Sequence, residues 1–416
     1  MQPTATMTPD EALLHLFSSP EALSDPAPLY RFLREEAPRH RSSVGSIVLT
    51  RFDDCHEVLR DNRFGKGQNP DGGGMLPMAD PEAVKMRAEL AARRDRAPSM
   101  LFLNPPDHTR QRQLVARTFT PRRVEQMRAS IAELARRCID DLAEAGSGDL
   151  LDLVAFPLPV AVIGALVGVP EADWTGFRSL ITTAAAGIEV AASADDLRAA
   201  ADANQEVGRY FMDLIGHRRR HPEDDLLSDL LAVEEAGDRL SEAEVISVAS
   251  LLFAAGFETT TNLIGNGMGA LLRHPDQMAQ LWADPALLPS AVEEILRWDS
   301  PVQFDARTAL QPADLFGEHV EEGGRIITLL GAANRDPGHF TDPDRFDVTR
   351  DEGPPMSFAS GIHYCLGANL ARAEGQEVFR ALRDRFSAIE LNGELRQRPR
   401  MTLRGYESVP VTVTPR

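Results

Sequence analysis

The stretch FASGIHYCLG, from Phe358 to Gly367, decides the interpretation of this chain because it places a cysteine directly before an amphipathic helix. A helix start has free backbone N–H groups and the positive end of the macrodipole, and both favour an anion. A Cys365 thiolate at such a position has a lowered pKa and is a good soft-metal ligand or nucleophile. The alternative is a small buried hydrophobe, as most free cysteines are, and that interpretation suits Cys55 and Cys138.

The two glycines that flank Cys365 indicate what kind of group it would face. Gly361 and Gly367 carry no Cβ, so a flat or bulky group can approach the backbone closely. A cysteine protease would instead need a partner histidine and an oxyanion site. His363 stays open as that partner on spacing alone, but nothing else in the sequence supports a protease.

Composition and charge exclude several classes of protein. The chain has 416 residues, with 44 basic against 63 acidic side chains and a formal net charge of −19. That balance argues against nucleic acid as a partner, because binding to phosphates needs a basic footprint. The three cysteines lie far apart without a C-x-x-C spacing, which favours a reducing compartment over a disulfide framework or a zinc site.

The sequence predicts a cytoplasmic protein without a membrane anchor. Residues Met1 to Leu23 lack the basic and apolar regions of a signal peptide. The uncharged stretch from Leu153 to Pro170 contains prolines and glycines and is shorter than the roughly 20 residues of a membrane span. We therefore expect a buried core helix there, and an N-terminal tail over about residues 1–20.

A long helix is predicted from Ser241 to about Arg273. Ser241 as N-cap and Glu244 three residues later form a capping box, and a His-Pro dipeptide ends the helix. At 1.5 Å per residue the helix spans roughly 45 Å. The section from Val245 to Phe257 has no charge at all. It must therefore be buried, so the helix crosses the middle of the molecule.

Polar residues interrupt this apolar helix at ETTTN, from Glu258 to Asn262. Burying a carboxylate without a partner costs several kcal/mol, so the simple alternative is a helix that emerges into solvent at this point. The return to apolar residues at Leu263 and Ile264 counts against that alternative. We expect Gly256 to permit a bulge or kink, and the acid and hydroxyls to line a cavity.

The first 300 residues are predicted to be mostly helical. Amphipathic spacing predicts helices over 110–145 and 196–217, while the Gly-, Met- and Pro-containing segment 62–99 predicts a long surface loop. Short strands are predicted at Val302–Arg307 and Arg325–Leu330, and residues 333–364, with four prolines, are predicted to lack a helix.

The stretch FASGIHYCLG resembles the cysteine loop of the cytochrome P450 family, F-x-x-G-x-x-x-C-x-G. Three further motifs occur in the order of that family: AGFETT from Ala255 resembles its oxygen-binding segment, EILR from Glu294 its E-x-x-R, and NRDP from Asn334 with PDRF from Pro343 its meander. NPPDHTR from Asn104 is similar to the soluble bacterial branch. The resemblance therefore covers nearly the whole chain.

The resemblance implies a mostly α fold with a small β region, as a single domain over residues 1–416. Haem b would lie between the long central helix and the helix after the cysteine loop. Cys365 would be the proximal thiolate ligand of the iron, with Phe358 packed against it. The haem propionates would be held by His108, Arg112, Arg307 and His363.

Simple electrostatics agrees with that propionate site, because carboxylates at the edge of a buried macrocycle need cationic partners. Without the motifs, each of these four residues would be interpreted as a surface or ion-pairing side chain. The resemblance also implies a structural ion network of Glu294, Arg297 and Arg345 behind the haem.

Glu258 and Thr259 match the family's acid–alcohol pair. Dioxygen must receive two protons before its O–O bond breaks and water is released. A hydroxyl at the distal face can position a water and donate a hydrogen bond, and the neighbouring carboxylate can relay protons from solvent. The sequence departs from the commonest bacterial pattern at Phe257, where His often stands, and at Ala359, where Gly is usual.

The implied activity is that of a haem-thiolate monooxygenase, which inserts one atom of O₂ into an apolar organic substrate by hydroxylation or epoxidation. A secondary metabolite, a steroid, a terpenoid and a fatty acid remain open as substrates. A peroxide-driven haem-thiolate enzyme and a non-catalytic haem sensor are the alternatives, and the intact acid–alcohol pair weighs against the first. By analogy, the pocket would be lined by residues 62–103, 181–194, 251–255, 302–304 and 404–407.

Electrons would come from a ferredoxin-type partner, and we expect a monomer. Residues 108–124 contain five arginines and no acidic residue. These residues are Arg110, Arg112, Arg117, Arg122 and Arg123. On an acidic protein they form a candidate dock for an acidic electron donor. The alternative is a solvated helix face with Arg112 turned inward.

Overall fold

The computed structural model describes residues 1–4, 6–67, 80–93, 97–232 and 239–416, without the side chain of Thr118. Helices dominate these residues. They are α1 (Pro9–Ser18), α2 (Pro20–Ser24), α3 (Ala27–Glu36), α4 (Phe52–Arg60), α5 (Pro81–Ala92), α6 (Asp107–Ala116), α7 (Pro121–Ala145), α8 (Pro157–Val167), α9 (Trp174–Ala186), α10 (Ala194–Arg220), α11 (Leu226–Ala232), α12 (Glu242–Arg273), α13 (Pro275–Ala283), α14 (Leu288–Trp298), α15 (Leu330–Ala333) and α16 (Ala368–Arg385).

The strands are short and form four small sheets within the described ranges. They are β1 (Arg39–Arg41), β2 (Ile47–Leu49), β3 (Phe64–Gly65), β4 (Ser147–Asp149), β5 (Asp305–Ala309), β6 (Ala313–Leu315), β7 (Glu318–Val320), β8 (Arg325–Thr328), β9 (Phe386–Leu391), β10 (Arg396–Gln397), β11 (Tyr406–Ser408) and β12 (Pro410–Pro415). The largest sheet has the order β1-β2-β8-β5-β3, with β2 and β8 parallel. The fold is therefore mostly α with a small β region, as predicted.

Helix α12 crosses the core as the sequence predicts. Ser241 caps it, the capping box with Glu244 is formed, and His274 is the C-cap. It packs against α8, α10, α14 and α16. Of the helices described, α12 alone is long and apolar enough to cross a membrane, a property that buried core helices share. The uncharged stretch that starts at Leu153 begins within a π-helical turn, Leu151–Ala155. It continues as α8, which is largely buried.

The predicted local bulge at Gly256 does not form. Helix α12 is α-helical without a break from Glu242 to Arg273. The glycine serves packing instead, because a Cβ at this position would lie 3.1 Å from Cδ1 of Ile163 in α8. Gly256 lets α8 approach the central helix closely.

Three other boundaries differ from the prediction. The pattern over 110–145 is divided into α6, a 3₁₀ turn and α7, because Pro121 starts a new helix that Thr120 caps. The predicted loop over 62–99 contains β3 and α5, although its residues 68–79 and 94–96 lie outside the described residues. Strand β5 starts only at Asp305, since Val302 forms a single bridge, to Leu403.

The expected N-terminal tail is ordered structure from Pro9 onward. Helix α1 has a complete capping box at Thr8 and Glu11, and its Leu13 and Leu16 are fully buried. They pack with residues of α3 and of the β8 region. The apolar face of a short amphipathic helix gives residues 9–18 their place in the core.

Candidate haem-thiolate site

The stretch from Phe358 to Gly367, called the cysteine segment below, forms a compact turn before α16. The backbone N–H of Cys365 donates to the carbonyl oxygen of Phe358 at 3.0 Å, which closes the turn. Cys365 is exposed, whereas Cys55 is buried and Cys138 is partly buried. The contrast agrees with the sequence interpretation, in which only Cys365 has a chemical role.

The pKa predicted for Cys365 is wrong in direction. Helix α16 begins at Ala368, so Cys365 lies before the first turn instead of within it. The protein around Cys365 raises the pKa of its thiol, because it limits the solvation of the thiolate. The backbone of Gly367 and the charges of Arg112 and Arg372 act in the opposite direction. A thiolate here therefore needs a further positive charge, such as a metal ion, to be stable.

The two glycines of the segment have different roles. Gly361 has a φ of +73°, and a Cβ there would collide with the carbonyl oxygen of Leu59. It packs against α4, so the predicted close approach of a bulky group is not its reason. A Cβ on Gly367 would meet nothing within 4 Å. Gly367 thus borders open space, as the prediction requires.

Phe358 is buried beside this turn. The guanidinium carbon of Arg372 lies 4.6 Å from the centre of the Phe358 ring, and Arg372 also donates to the hydroxyl of Tyr364 at 3.1 Å. Arg112 donates to the carbonyl oxygen of Tyr364 at 2.5 Å. Helix α6, which carries Arg112, is thereby fixed to the cysteine segment.

Buried hydrogen-bond donors without partners converge beside the cysteine segment. Helix α6 carries His108, strand β5 carries Arg307, and His363 stands two residues before Cys365. The His108 and His363 rings are 4.2 Å apart. Among the described residues, no hydrogen-bond partner is found for either ring nitrogen of His108, for Nε2 of His363 or for Nη2 of Arg307. This arrangement fits an anion that accepts several hydrogen bonds.

The pKa shifts of the two histidines also favour an anion at this position. Burial lowers the pKa of His363 to about 3, and the neighbouring His108, Lys66 and Arg307 contribute to the shift. Burial, Arg112 and Arg307 also lower the pKa of His108. Cationic groups thus repel each other here, and an anionic ligand would relieve that repulsion.

Sequence reasoning missed Asp305 and Lys66 at this site. Asp305 accepts from Nη1 of Arg307 at 2.6 Å and contacts the Lys66 ammonium. Burial opposes the charge on Asp305, but Lys66 and Arg307 outweigh it and lower the pKa of Asp305 to about 2. The position of Asp305 two residues before Arg307 was the available signal, because alternate residues of a strand share one face.

Helix α12 presents an accessible, mostly apolar stripe in an otherwise buried core. Leu251, Ala255 and Thr259 lie on one face at i, i+4 and i+8, and each is more exposed than its buried neighbours. The Thr259 hydroxyl donates to the carbonyl oxygen of Ala255 at 2.6 Å. With its proton used in this bond, the hydroxyl oxygen is free to accept a hydrogen bond from a water.

The Glu258 carboxylate is buried, so the predicted relay would need water inside the protein to bring protons to it. Its side chain is 1% exposed and forms an ion pair with Arg398, which is itself 8% exposed. Arg398 stands directly after β10, 140 residues from Glu258, so no local pattern in the sequence indicates this partner. The cost of burying the carboxylate is thus met by a charged partner that sequence reasoning missed.

Three of the segments expected to line a pocket lie together. The Glu189 carboxylate, in the α9–α10 connection, accepts from the backbone N–H groups of residues 401–403 at 2.9–3.1 Å. Arg87 of α5 donates to the carbonyl oxygens of Gly187 and Glu189. Leu403 is bridged to Val302. Arg87, Glu189 and Val302 are thus linked through residues 401–403, which stand just before the expected lining segment 404–407.

The ion network behind the site differs from the prediction at one position. Glu294 and Arg297 form a buried pair, but Arg345 is 65% exposed and faces Asp347 instead. Arg350 occupies the expected place beside Glu294. Arg345 contributes only its carbonyl oxygen, which accepts from Arg297 at 3.1 Å.

The cationic patch is partly neutralised. Arg110 pairs with Glu244, Arg123 pairs with Asp229 at 2.7 Å, and Arg112 turns toward Tyr364. Arg122 remains exposed. The patch is therefore smaller than the sequence indicated, because its partners come from α11 and α12.

Comparisons with known proteins identify the family. A family model described as Cytochrome P450 matches residues 198–403. The vitamin D(3) 25-hydroxylase of Pseudonocardia autotrophica is 41% identical over 94% of this chain and 94% of its own. The cytochrome P450 monooxygenase PikC of Streptomyces venezuelae is 39% identical over 93% of this chain and 91% of its own. The chain belongs to the cytochrome P450 family.

The fold of this P450 agrees with solved structures. The ligand-free structure of CYP164A2 from Mycobacterium smegmatis matches with a TM-score of 0.86 at 36% identity, covering 97% of this chain and 100% of the other. The protein is accordingly an oxidoreductase of the monooxygenase type, acting on organic substrates with O₂ and redox partners, and its cofactor is haem b with cysteine thiolate ligation.

The residues present fit that cofactor. Across the described ranges, no group of three or more His, Cys, Asp or Glu side chains is placed to hold a metal ion, so a metal at Cys365 needs most of its ligands from a cofactor. A porphyrin supplies them. The unpartnered donors of His108, Arg307 and His363 suit its propionates.

Proposed function

We propose that Cys365 ligates the haem iron and that His108, Arg112, Arg307 and His363 bind the propionates, in one catalytic domain comprising residues 1–416. The observation that carries this assignment is the convergence of unpartnered, buried donors beside an exposed cysteine. When bound, the haem supplies the activation of dioxygen, and the cysteine thiolate favours O–O cleavage. Phe358 and Gly361 shape the cysteine turn, in which Gly361 provides close contact with α4.

We infer that the protein inserts one oxygen atom into an apolar organic substrate, with hydroxylation as the favoured outcome. The relative from Pseudonocardia autotrophica is a hydroxylase of vitamin D(3), which supports an apolar substrate of that size class. The open stripe of Leu251, Ala255 and Thr259 offers such a substrate an apolar wall with one hydroxyl. Thr259 holds a water at that wall, and Glu258 supplies protons to it.

The proposed electron donor is an acidic ferredoxin. It would dock near the exposed Arg122 and Tyr364, on the side of the molecule where Arg112 contacts the cysteine segment. Opposite charges would speed the encounter, so the rate should fall as ionic strength rises. The protein is further proposed to be a monomer in the cytoplasm. Its separated, unpaired cysteines support that compartment.

The absorption spectrum of the reduced protein with and without carbon monoxide tests the assignment. The wild type and Cys55→Ser should both give a strongly red-shifted Soret band, and Cys365→Ser should lose it. A band without the shift in the wild type would contradict thiolate ligation and favour the haem sensor. Turnover of vitamin D(3) as a probe with hydrogen peroxide alone, but not with NADPH, ferredoxin and reductase, would favour the peroxide-driven alternative.

A further inference from the structure

We propose that Arg398 is a positioning residue for proton delivery, acting through Glu258. This inference rests on the proposed function, because it concerns the acid of the acid–alcohol pair. Arg398 does not lie on α12. It reaches the central helix from the C-terminal β region, directly after β10.

The contacts of Arg398 fix one oxygen of the Glu258 carboxylate. Nη1 of Arg398 donates to Oε1 of Glu258, while Nη2 donates to Oδ1 of Asn262 at 2.9 Å. Nε donates to the carbonyl oxygen of Tyr406 at 3.0 Å. Three separate acceptors thus hold one planar guanidinium, which leaves it little freedom to rotate.

The second oxygen of Glu258 is left for the chemistry. Among the described residues, Oε2 of Glu258 is buried and has no hydrogen-bond partner. A buried carboxylate oxygen without a partner is the strongest available acceptor for a water or a proton. Since Arg398 occupies Oε1, a proton that arrives at Glu258 must bind to Oε2.

The proton step is balanced at this carboxylate. Oε2 accepts one proton from a hydronium ion, which is left as water. Glu258 then passes that proton through a water held by Thr259 to the oxygen being reduced, and returns to the ionised state. The guanidinium holds Oε1 throughout, so Oε2 keeps the same position for each proton. Arg398 therefore keeps Glu258 ready to accept the next proton.

The same residue connects proton delivery to the predicted pocket. The backbone N–H of Arg398 donates to the carbonyl oxygen of Gly405 at 2.9 Å, and Leu403 lies in the turn between them. A Cβ on Gly405 would collide with Oδ1 of Asn262, the residue that shares Arg398 with Glu258. Arg398 therefore contacts both Glu258 and the turn at Leu403, which lies next to the pocket segments.

The test measures how dioxygen is reduced in the absence of substrate. The haem-loaded protein receives electrons from a surrogate bacterial ferredoxin, its reductase and NADPH. Reduction of O₂ to peroxide requires two electrons, from one NADPH, and two protons at the oxygen atoms. Reduction to two waters requires four electrons, from two NADPH, and four protons there. The ratio of peroxide formed to NADPH consumed therefore reports proton delivery.

We expect Arg398→Met to lower the rate of water formation roughly tenfold, less than the 10²–10⁴-fold that a positioned acid–base group itself contributes. Arg398→Lys, which keeps the charge, should recover most of it. Arg396→Met is the matched control, because Arg396 is exposed in β10, two residues before Arg398. In the Glu258→Gln background, Arg398→Met should have no further effect, since residues that act through each other are not additive.

The outcomes separate this inference from the proposed function. A wild type without the thiolate–haem spectrum would refute the proposed function. A normal spectrum with the same peroxide ratio in the wild type and Arg398→Met would overturn the role of Arg398 alone. An equal effect of Arg398→Met with and without Glu258 would also overturn it and indicate a purely structural residue. If Arg398→Met does not fold, Arg398→Lys and the double variant, which removes both charges, carry the same comparison.

Discussion

Nε of Arg350 lies 3.1 Å from Oε2 of Glu294, in the place where the sequence motif predicts Arg345. Glu294 is fully buried and also accepts from Arg297 at 2.6 and 2.8 Å and from the backbone N–H of Asp347 at 2.8 Å. Two arginines thus share one carboxylate. Arg345 points outward, because its own carbonyl oxygen turns inward to accept from both of these arginines.

Replacing Arg350 should therefore destabilise the protein far more than replacing Arg345. Arg350→Met leaves part of a buried carboxylate without its partner, which costs about 3 kcal/mol. Arg345→Met removes an exposed pair with Asp347, which contributes less than about 1 kcal/mol. Urea unfolding followed by far-UV circular dichroism measures both. Equal losses would show that the two arginines share the network.

Ala359→Gly should stabilise the protein. Ala359 has φ +57° and ψ −156°, a conformation that favours glycine and costs a side chain on the order of 1–3 kcal/mol. Glycine removes this strain but loses more entropy on folding, so a net gain of about 1 kcal/mol is expected. Ala381→Gly, inside α16, is the control and should lose about 1 kcal/mol. A loss in both variants would contradict the strain at Ala359.

Glu244→Gln should reduce stability at neutral pH but not in acid. Burial opposes the charge on Glu244, but hydrogen bonds from Ser241 and Arg110 outweigh it and lower the pKa of this carboxyl. A lowered pKa means that the carboxylate stabilises the fold above about pH 4.5 and that this contribution is lost as the pH falls below it. The variant should lose about 1 kcal/mol at pH 7 and match the wild type near pH 3.

Glu242→Gln is the matched control for that experiment. Glu242 lies in the same first turn of α12, but its pair with Arg219 is about half exposed. Its replacement should change the free energy of unfolding by less than about 0.5 kcal/mol at any pH. A difference between wild type and Glu244→Gln that does not depend on pH would refute the role of charge at Glu244.

Local signals in the sequence predicted the parts of the fold that depend on neighbouring residues. The capping box of Ser241 and Glu244 located α12, because its hydrogen bonds join residues three apart. The apolar run after Ser241 correctly predicted a helix through the core, although its face at Leu251 and Ala255 stays open. Pro121 favours the start of a helix, but the amphipathic spacing continues across it. The sequence therefore predicted one helix where the structure has two. The cysteine segment and its adjacent helix were predicted from ten residues.

Long-range partners were not predictable in this way. Arg398 meets Glu258 across 140 residues, and Arg350 replaces Arg345 because of how the backbone turns between them. Neither relationship leaves a pattern in the local sequence. The raised pKa of Cys365 was missed for the same reason, since burial depends on the packing of the whole molecule. Motifs in the sequence thus indicate candidate residues for the chemistry, whereas residues that position them, such as Arg398 and Arg350, come from distant parts of the chain.

Arg307→Gln should weaken the retention of haem. Nη2 of Arg307 is buried without a partner among the described residues, so a propionate would gain a charge-assisted hydrogen bond there. Such bonds contribute about 1.5–3 kcal/mol, which corresponds to at least a tenfold faster transfer of haem to apomyoglobin. Arg41→Gln, in an exposed pair with Glu318, should not change this rate. Equal rates in the wild type and Arg307→Gln would remove Arg307 from the propionate site.

Thr259→Ala should keep its haem and divert reducing equivalents into peroxide. The hydroxyl of Thr259 donates to Ala255, so its oxygen can hold a water by accepting from it, and alanine cannot. Loss of such a positioned group lowers proton transfer by roughly 10²-fold, while the reduced carbon monoxide spectrum stays unchanged. The measurement is peroxide formed per NADPH consumed with the surrogate ferredoxin system. Thr261→Val is the control, because the Thr261 hydroxyl is buried with no partner found in the described residues and its removal should leave the ratio as in the wild type. An unchanged ratio in Thr259→Ala would remove Thr259 from proton delivery.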